Sequence, residues 1–261
     1  MSCRVVAIIM TTVAFPAALL ERLRRARRVA ALTGAGVSAE SGVPTFRDVH
    51  SGLWARYRPE DLASPEAFAR DPALVWNWYA WRRQNVAAAA PNPAHFALAA
   101  LATLIPEFTL ITQNVDGLHR RAGSQALIEL HGSIQRTVCS GRQRHEVEQW
   151  TEDGSEPPRC PVCSALLRPD VVWFGESLPH DTIDAAFRAA EECEVFLCIG
   201  TSTLVYPAAE LPFFAHRHGA CVVEVNPHNT PLSSVADFRL SGPAGEVLPT
   251  LQRSLEAGVP C

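Results

Sequence analysis

The chain has 261 residues, of which 48% are hydrophobic and 19% charged, and a formal net charge of -4. That composition supplies a sizeable apolar core and excludes a disordered chain; the mild acidity offers no basic face to a nucleic-acid partner. All 23 basic residues are Arg, which reads as codon bias in a GC-rich genome.

In chain order, Arg4 and the apolar run 5–15 resemble a short secretory leader. The run is too short to span a bilayer and reads as an irregular segment before the first helix, with Met10 an alternative start. Pro16 opens a helix with Leu19, Leu20 and Leu23 on one face and Arg22, Arg24 and Arg25 on the other. Residues 29–33 form a short apolar strand that runs into Gly34-Ala35-Gly36. Residues 49–92 read as helical, with Trp76, Trp78, Tyr79 and Trp81 in a dense aromatic patch, and 94–104 as an amphipathic helix. Strands follow at 108–112, ending in Gln113-Asn114-Val115-Asp116, and at 127–130, ending in His131-Gly132. Residues 137–168 are polar and hold Cys139, Cys160 and Cys163, the mark of a small inserted module. The remainder alternates again: strand 170–173, helix 181–192, strand 195–199 ending in Gly200-Thr201-Ser202, helix 211–218, strand 220–225 ending in Asn226-Pro227, and helix 245–256.

Alternating strands and helices predict an α/β fold, a parallel sheet with helices on both faces. Polar segments stand at the carboxyl ends of several strands, where open sheets of this kind bind ligands. Gly34-Ala35-Gly36-Val37-Ser38-Ala39 after the first strand fits a dinucleotide loop: Gly34 permits a tight turn and Gly36 lets backbone approach a pyrophosphate. The acidic ribose ligand of an ordinary dehydrogenase is not evident after a second strand.

The motif continues as Ser41-Gly42-Val43-Pro44-Thr45-Phe46-Arg47-Asp48, then Gly52-Leu53-Trp54. Together with 112–116, Leu118-His119, Leu130-His131-Gly132, Val171-Val172-Trp173-Phe174-Gly175-Glu176, Gly200-Thr201-Ser202 and Val225-Asn226, it resembles the sirtuin family over about residues 28–250. The resemblance implies a Rossmann-like domain (1–48, 93–136 and 169–261), a helical insertion holding an acyl pocket (49–92) and a small zinc-ribbon-like module (137–168). It implies an NAD-dependent protein-lysine deacylase that releases nicotinamide and O-acyl-ADP-ribose and acts on acyl-lysine proteins. His131 is then the general base; an ordinary imidazole pKa of about 6.5 suits that task. Gly34, Ala35, Gly36, Ser38, Phe46, Arg47, Trp54, Gln113, Asn114, Val115 and Asp116 would hold the ribose, phosphate and nicotinamide part of NAD. Gly200, Thr201, Ser202, Asn226, Pro227, His228 and Ala244 would line its adenosine half. Val172, Phe174 and Gly175 would pair with the substrate peptide as an added strand. An ADP-ribosyltransferase using the same NAD site, or a non-catalytic NAD sensor, stays open as an alternative.

Two features are particular to this chain. Tyr79 and Arg82 resemble the Y-x-x-R pair of the branch that removes succinyl and malonyl groups; at i and i+3 they share one helix face and can grip one carboxylate, and Ala63 matches the same branch. In the cysteine module, Cys160-Pro161-Val162-Cys163 is a zinc knuckle, and Cys139 belongs to the first pair, but Arg142 stands where its second cysteine is expected. A structural zinc held by Cys139, Cys160 and Cys163 is one reading, with three ways to close the site: His145 completes the shell, or water or another side chain does, or the module holds without metal. A chain with this motif and scattered cysteines is expected to be cytoplasmic, without disulfides, and with no membrane segment. The sequence does not indicate an oligomeric state.

Overall fold

The computed structural model describes residues 15–43, 58–150 and 156–257. The leader with Met10, and the expected cofactor residues Phe46, Arg47 and Trp54, lie outside the described residues. The elements are α1 (Ala17–Arg25), β1 (Arg28–Thr33), α2 (Ala35–Ala39), α3 (Pro59–Leu62), α4 (Pro65–Arg70), α5 (Pro72–Ala88), α6 (Pro93–Leu104), β2 (Glu107–Thr112), α7 (Leu118–Arg121), β3 (Leu127–Glu129), β4 (Gly132–Cys139), β5 (Leu167–Val171), α8 (His180–Glu192), β6 (Val195–Ile199), α9 (Leu211–Arg217), β7 (Cys221–Val225), β8 (Phe238–Leu240) and α10 (Ala244–Glu256).

Six strands form one parallel sheet in the order β3-β2-β1-β6-β7-β8. Its central strands are buried on both faces, as parallel strands under helices must be. Alternate residues serve different layers. Val29 and Ala31 of β1, with Leu197 and Ile199 of β6, pack against Leu19 and Leu23 of α1, Leu98 and Leu101 of α6, and Leu248 and Leu251 of α10. Ala30, Leu32, Phe196 and Cys198 face the other way, onto Ala186 and Ala190 of α8 and Leu211 and Ala215 of α9.

The expected helical stretch 49–92 is three helices where it is described. Ser64 and Asp71 cap α4 and α5 by accepting from Ala67 N–H and Leu74 N–H, and each helix starts on a proline. A proline is welcome in a first turn and breaks a helix interior, so the run divides there. The strand expected at 170–173 is found at 167–171 and lies outside the main sheet. It pairs antiparallel with β4, which its mixed polar sequence concealed. The three-residue β8 is too short to show alternation. Among the described residues no helix is long and apolar enough to cross a membrane.

The sheet order reverses between β1 and β6, which places a crevice above their carboxyl ends. There the two chains touch backbone to backbone: Gly36 N–H donates to the Gly200 carbonyl at 2.8 Å. A Cβ on Gly36 would stand 2.7 Å from that oxygen and 2.9 Å from Gly200 Cα. Gly36→Ala should therefore cost about 2 kcal/mol through overpacking against backbone that cannot step aside. Thermal unfolding by circular dichroism checks this; an unchanged Tm contradicts the close contact.

Candidate active site

The site begins with the loop between β1 and α2. Gly34 N–H donates to Ile199 O at 3.1 Å, tying the end of β1 to the end of β6. A side chain at Gly34 would collide with Thr201. Gly34 is buried, and Gly36 is exposed at the mouth of the crevice.

A layer of buried polar groups lies beneath. Ser38 Oγ–H donates to Asp116 Oδ2 at 2.7 Å, and Asn114 Nδ2–H donates to Ser38 Oγ and to Gly34 O, each at 3.1 Å. Asp116 Oδ1 accepts from Leu118 N–H at 2.9 Å. His95, packed beneath Ser38, has its Nε2 3.4 Å from Ser38 Oγ and accepts the Asn92 N–H on Nδ1 at 3.2 Å. Asn92 in turn caps α6 and donates to Val37 O at 2.7 Å. His119 stacks near His95 with ring centroids 4.8 Å apart and meets Thr33 Oγ1 at 2.9 Å. Burial, reinforced by the neighbouring His95, pushes the His119 pKa down to about 3. Burial also lowers His95, and Asp116 only partly offsets it. Both rings are neutral at ordinary pH, so this floor holds its carboxylate against neutral donors.

His131 stands in the turn between β3 and β4. Its Nδ1 lies 3.0 Å from the Gln113 carbonyl. A carbonyl only accepts, so Nδ1 carries the proton and the lone pair is on Nε2. Burial lowers the pKa of His131 below its usual value, with the Gln113 bond acting in the opposite sense. Gln113 also reaches across the crevice, its Nε2–H donating to Thr201 Oγ1 at 2.9 Å. Thr201 O accepts from Asn226 Nδ2–H at 3.0 Å, and Asn226 Oδ1 accepts from His228 N–H at 3.1 Å. The carboxyl ends of β1, β2, β6 and β7 are thus joined into one rim. Ser202 continues it beside Thr201, whereas Pro227 and His228 are exposed at its outer end. Ala244 is buried at the start of α10, next to Gly245, whose N–H reaches Glu40 beyond α2 at 2.7 Å. Val115 packs into the third apolar cluster and its carbonyl accepts from Ile134 N–H at 2.9 Å.

On the other wall, α5 carries Tyr79 and Arg82. Tyr79 is fully buried in the cluster formed with Trp78, Phe68 and Trp173. The Arg82 guanidinium lies 4.9 Å from the Trp78 ring centroid and 5.4 Å from that of Tyr79. Burial lowers its pKa, with Tyr79 and Asp116 acting in the opposite sense. After β5, Val172 N–H donates to His131 O at 3.0 Å and Phe174 N–H to Ala63 O at 2.9 Å; Gly175 follows with φ +87.

The cysteines gather at the far end of the β4–β5 hairpin. Ligand atoms of Cys139, His145 and Cys160 lie within 4.8 Å of one another. Cys163 Sγ is 3.4 Å from Cys139 Sγ, and Cys160 Sγ is 3.5 Å from His145 Nε2. His145 Nδ1–H donates to Gln143 O at 2.7 Å, which turns the Nε2 lone pair to the thiols. Of the readings open for the fourth position, the structure brings His145 to the cluster, while Arg142 is exposed. Sequence patterns gave His95 and Arg168 no role. Asn92-Pro93, a helix-start signal, was a handle for the first; the second announces itself only through tertiary contacts.

Residues 34–207 match the Sir2 family. An NAD-dependent protein deacylase of Methylococcus capsulatus is 53% identical over 249 residues, spanning 93% of this chain and 98% of that one. A crystal structure of a Sir2 homologue in complex with NAD superposes with a TM-score of 0.86 at 49% identity, covering 94% of this chain and 95% of that one. A substituted Sir2 homologue in complex with 2'-O-acetyl-ADP-ribose also superposes at 0.86, with 49% identity, over 95% of this chain and 99% of that one. With the family model matched over residues 34–207, about half its residues identical to such relatives and the same overall fold, this chain belongs to the Sir2 family.

Proposed function

We propose that this chain is an NAD-dependent protein-lysine deacylase that yields nicotinamide, free lysine and O-acyl-ADP-ribose, with a preference for acidic acyl groups. The relatives' activity and their NAD and acetyl-ADP-ribose complexes support the first part. The observation that carries it is the pairing of His131 Nδ1 with the Gln113 carbonyl after β2, which leaves the lone pair on Nε2.

The crevice fits NAD. Gly34 and Gly36 leave no room for a Cβ because the Gly200–Thr201 segment packs directly against them, and the exposed Gly36 leaves backbone open to a pyrophosphate. When bound, NAD supplies a ribosyl carbon that takes the acyl oxygen as nicotinamide departs. With both Nδ2 hydrogens committed to Ser38 and Gly34, Asn114 presents its Oδ1, and Asp116 its carboxylate, as acceptors suited to the N–H groups of a carboxamide. Thr201, Ser202 and Asn226 bind the adenosine half, with Gly200, Pro227, His228 and Ala244 at its edges. His131 takes a proton from a ribose hydroxyl. Val172, Phe174 and Gly175 receive the peptide of a protein substrate along the β5 end, where Phe174 is 44% exposed. Tyr79 and Arg82 grip the far carboxylate of a succinyl or malonyl chain. The helical insertion (49–92) holds the acyl pocket, and NAD and the acyl-lysine meet in the cleft between it, the NAD-binding domain and the cysteine module. Six described cysteines are free thiols, which fits a reducing, cytoplasmic compartment.

A panel of acetyl-, malonyl- and succinyl-lysine peptides, assayed with and without NAD by mass spectrometry, tests the reading. His131→Tyr should abolish turnover while NAD binding persists, and Arg82→Met should cut desuccinylation by about 10²-fold or more while costing deacetylation far less. Labelled protein in place of O-acyl-ADP-ribose identifies a transferase, and equal loss of both activities in Arg82→Met removes the carboxylate grip.

The lowered pKa of His131 sets the sign of the pH profile. The active form is the neutral imidazole, and a depressed pKa keeps it neutral further into acid. The acid limb of kcat/KM should therefore have its midpoint below the ordinary histidine value of about 6.5. A midpoint above it argues that another group limits the rate.

The thiols of Cys139, Cys160 and Cys163 with His145 Nε2 are a donor set suited to a structural tetrahedral zinc, with the Gln143 carbonyl orienting the imidazole as outer-shell acceptors do. Elemental analysis of protein purified without chelator should find one zinc per chain. His145→Ala should lower that content and remove the nitrogen scatterer at about 2.0 Å from X-ray absorption, whereas Arg142→Ala should change neither. Metal-free wild-type protein overturns the assignment.

A further inference from the structure

Trp173, just beyond β5, is 3% exposed, and its indole N–H donates to the Tyr79 phenol oxygen at 3.0 Å. The indole is held in place by charge. The buried Arg168 guanidinium lies 3.3 Å from the Trp173 ring centroid and makes a two-pronged ion pair with Glu176, at 2.6 and 2.9 Å. Glu176 also accepts the Trp173 backbone N–H at 2.8 Å, and Arg168 donates to Val171 O at 2.9 Å. Strand end, turn and ring form one clamp, and Phe68 closes on the ring with centroids 5.2 Å apart.

A phenol has one proton to give and two lone pairs. Trp173 uses one lone pair. The Arg82 guanidinium lies 5.4 Å from the centroid of the same ring. An indole N–H and a guanidinium can only donate, so neither takes the hydroxyl proton, which is aimed at a third group. Burial pushes the phenol pKa up, so the proton stays on at ordinary pH.

We infer that Trp173 sets acyl specificity from behind: by donating to Tyr79 it occupies one phenol lone pair and holds the ring, so that the Tyr79 hydroxyl proton and the Arg82 guanidinium are the groups turned to the acyl chain. The matching end group is an anionic carboxylate. A neutral acyl chain such as acetyl ends short of the phenol and gains nothing from it. Trp173 touches neither the substrate nor NAD in this account; it positions Tyr79. The inference rests on the acidic-acyl reading proposed above.

The test is a double-mutant cycle read as the ratio of desuccinylase to deacetylase kcat/KM. Trp173→Phe keeps an aromatic ring and removes the donor; it should lower the ratio about tenfold, the worth of one oriented hydrogen bond to a charged group, mostly through KM for the succinyl peptide. In a Tyr79→Phe background the same substitution should have no further effect on the ratio. Trp173→His, which can restore a ring N–H, is the second variant and should recover part of the ratio where Phe does not. A wild-type enzyme without desuccinylase activity, or an Arg82→Met variant that keeps it, refutes the acidic-acyl reading itself. If those controls behave as expected, an unchanged ratio in Trp173→Phe, or an equal drop with and without the Tyr79 hydroxyl, overturns the role of Trp173.

Discussion

The architecture turns on one contact between two glycines. Gly36 N–H meets the Gly200 carbonyl at 2.8 Å, and the two residues occupy each other's side-chain space. Gly200 has φ +58, and a Cβ there would stand 2.7 Å from Val37 N. This approach lets β1 and β6 lie side by side while the chain departs to opposite halves of the sheet. The strand ends therefore diverge above the contact, and the divergence is the crevice. Gln113, His131, Thr201 and Asn226 are each placed by the strand end they follow, and Tyr79 and Arg82 by α5.

What fills the bottom of the crevice matters as much as its shape. Ser38, Asn114, Asp116, His95, Thr33 and His119 are buried polar groups in a region where a missing partner is costly. Most of their donors are committed: Ser38 to Asp116, Asn114 to Ser38 and Gly34. The depressed imidazoles keep positive charge away from the Asp116 carboxylate from below. The Arg82 guanidinium lies beside the aromatic cluster, 4.9 Å from the Trp78 ring centroid. A floor assigned in advance needs little reorganisation when charge moves above it, which is how preorganised sites lower barriers.

The parallel sheet and its strand-end loops were legible in the sequence because each is a local signal: a short apolar run followed by glycine or a polar cluster. Val29 to Thr33 and Val195 to Ile199 emerge as strands in the structure for that reason. The β4–β5 hairpin was not legible, because Ser133, Gln135, Arg136 and Thr137 give β4 no clean alternation and its partner lies beyond the cysteine module. The clamp of Arg168, Glu176 and Trp173 was hidden as well, since an arginine in a polar stretch looks solvated until the fold brings a ring beneath it. His145 was one of three readings, and only its hydrogen bond to Gln143 O gives the ring its orientation.

That hairpin joins the two ends of the molecule's chemistry. Its register pairs Gly132 with Val171 at one end and Cys139 with Leu167 at the other. His131 precedes the first end and bonds through its carbonyl to Val172 N–H, and Trp173 follows at once. The proposed base and the proposed acyl grip therefore hang from the same pair of strand termini, while the cysteine cluster closes the opposite end. Two strands alone are marginally stable in water, so a hairpin carrying this much geometry needs anchoring at both ends. The Arg168–Glu176 pair supplies one anchor, reinforced where Arg83 donates to Ile134 O at 2.7 Å. Metal held by the thiols and His145 would supply the other. A structural ion remote from the crevice would then govern the spacing between base and acyl chain without entering the reaction.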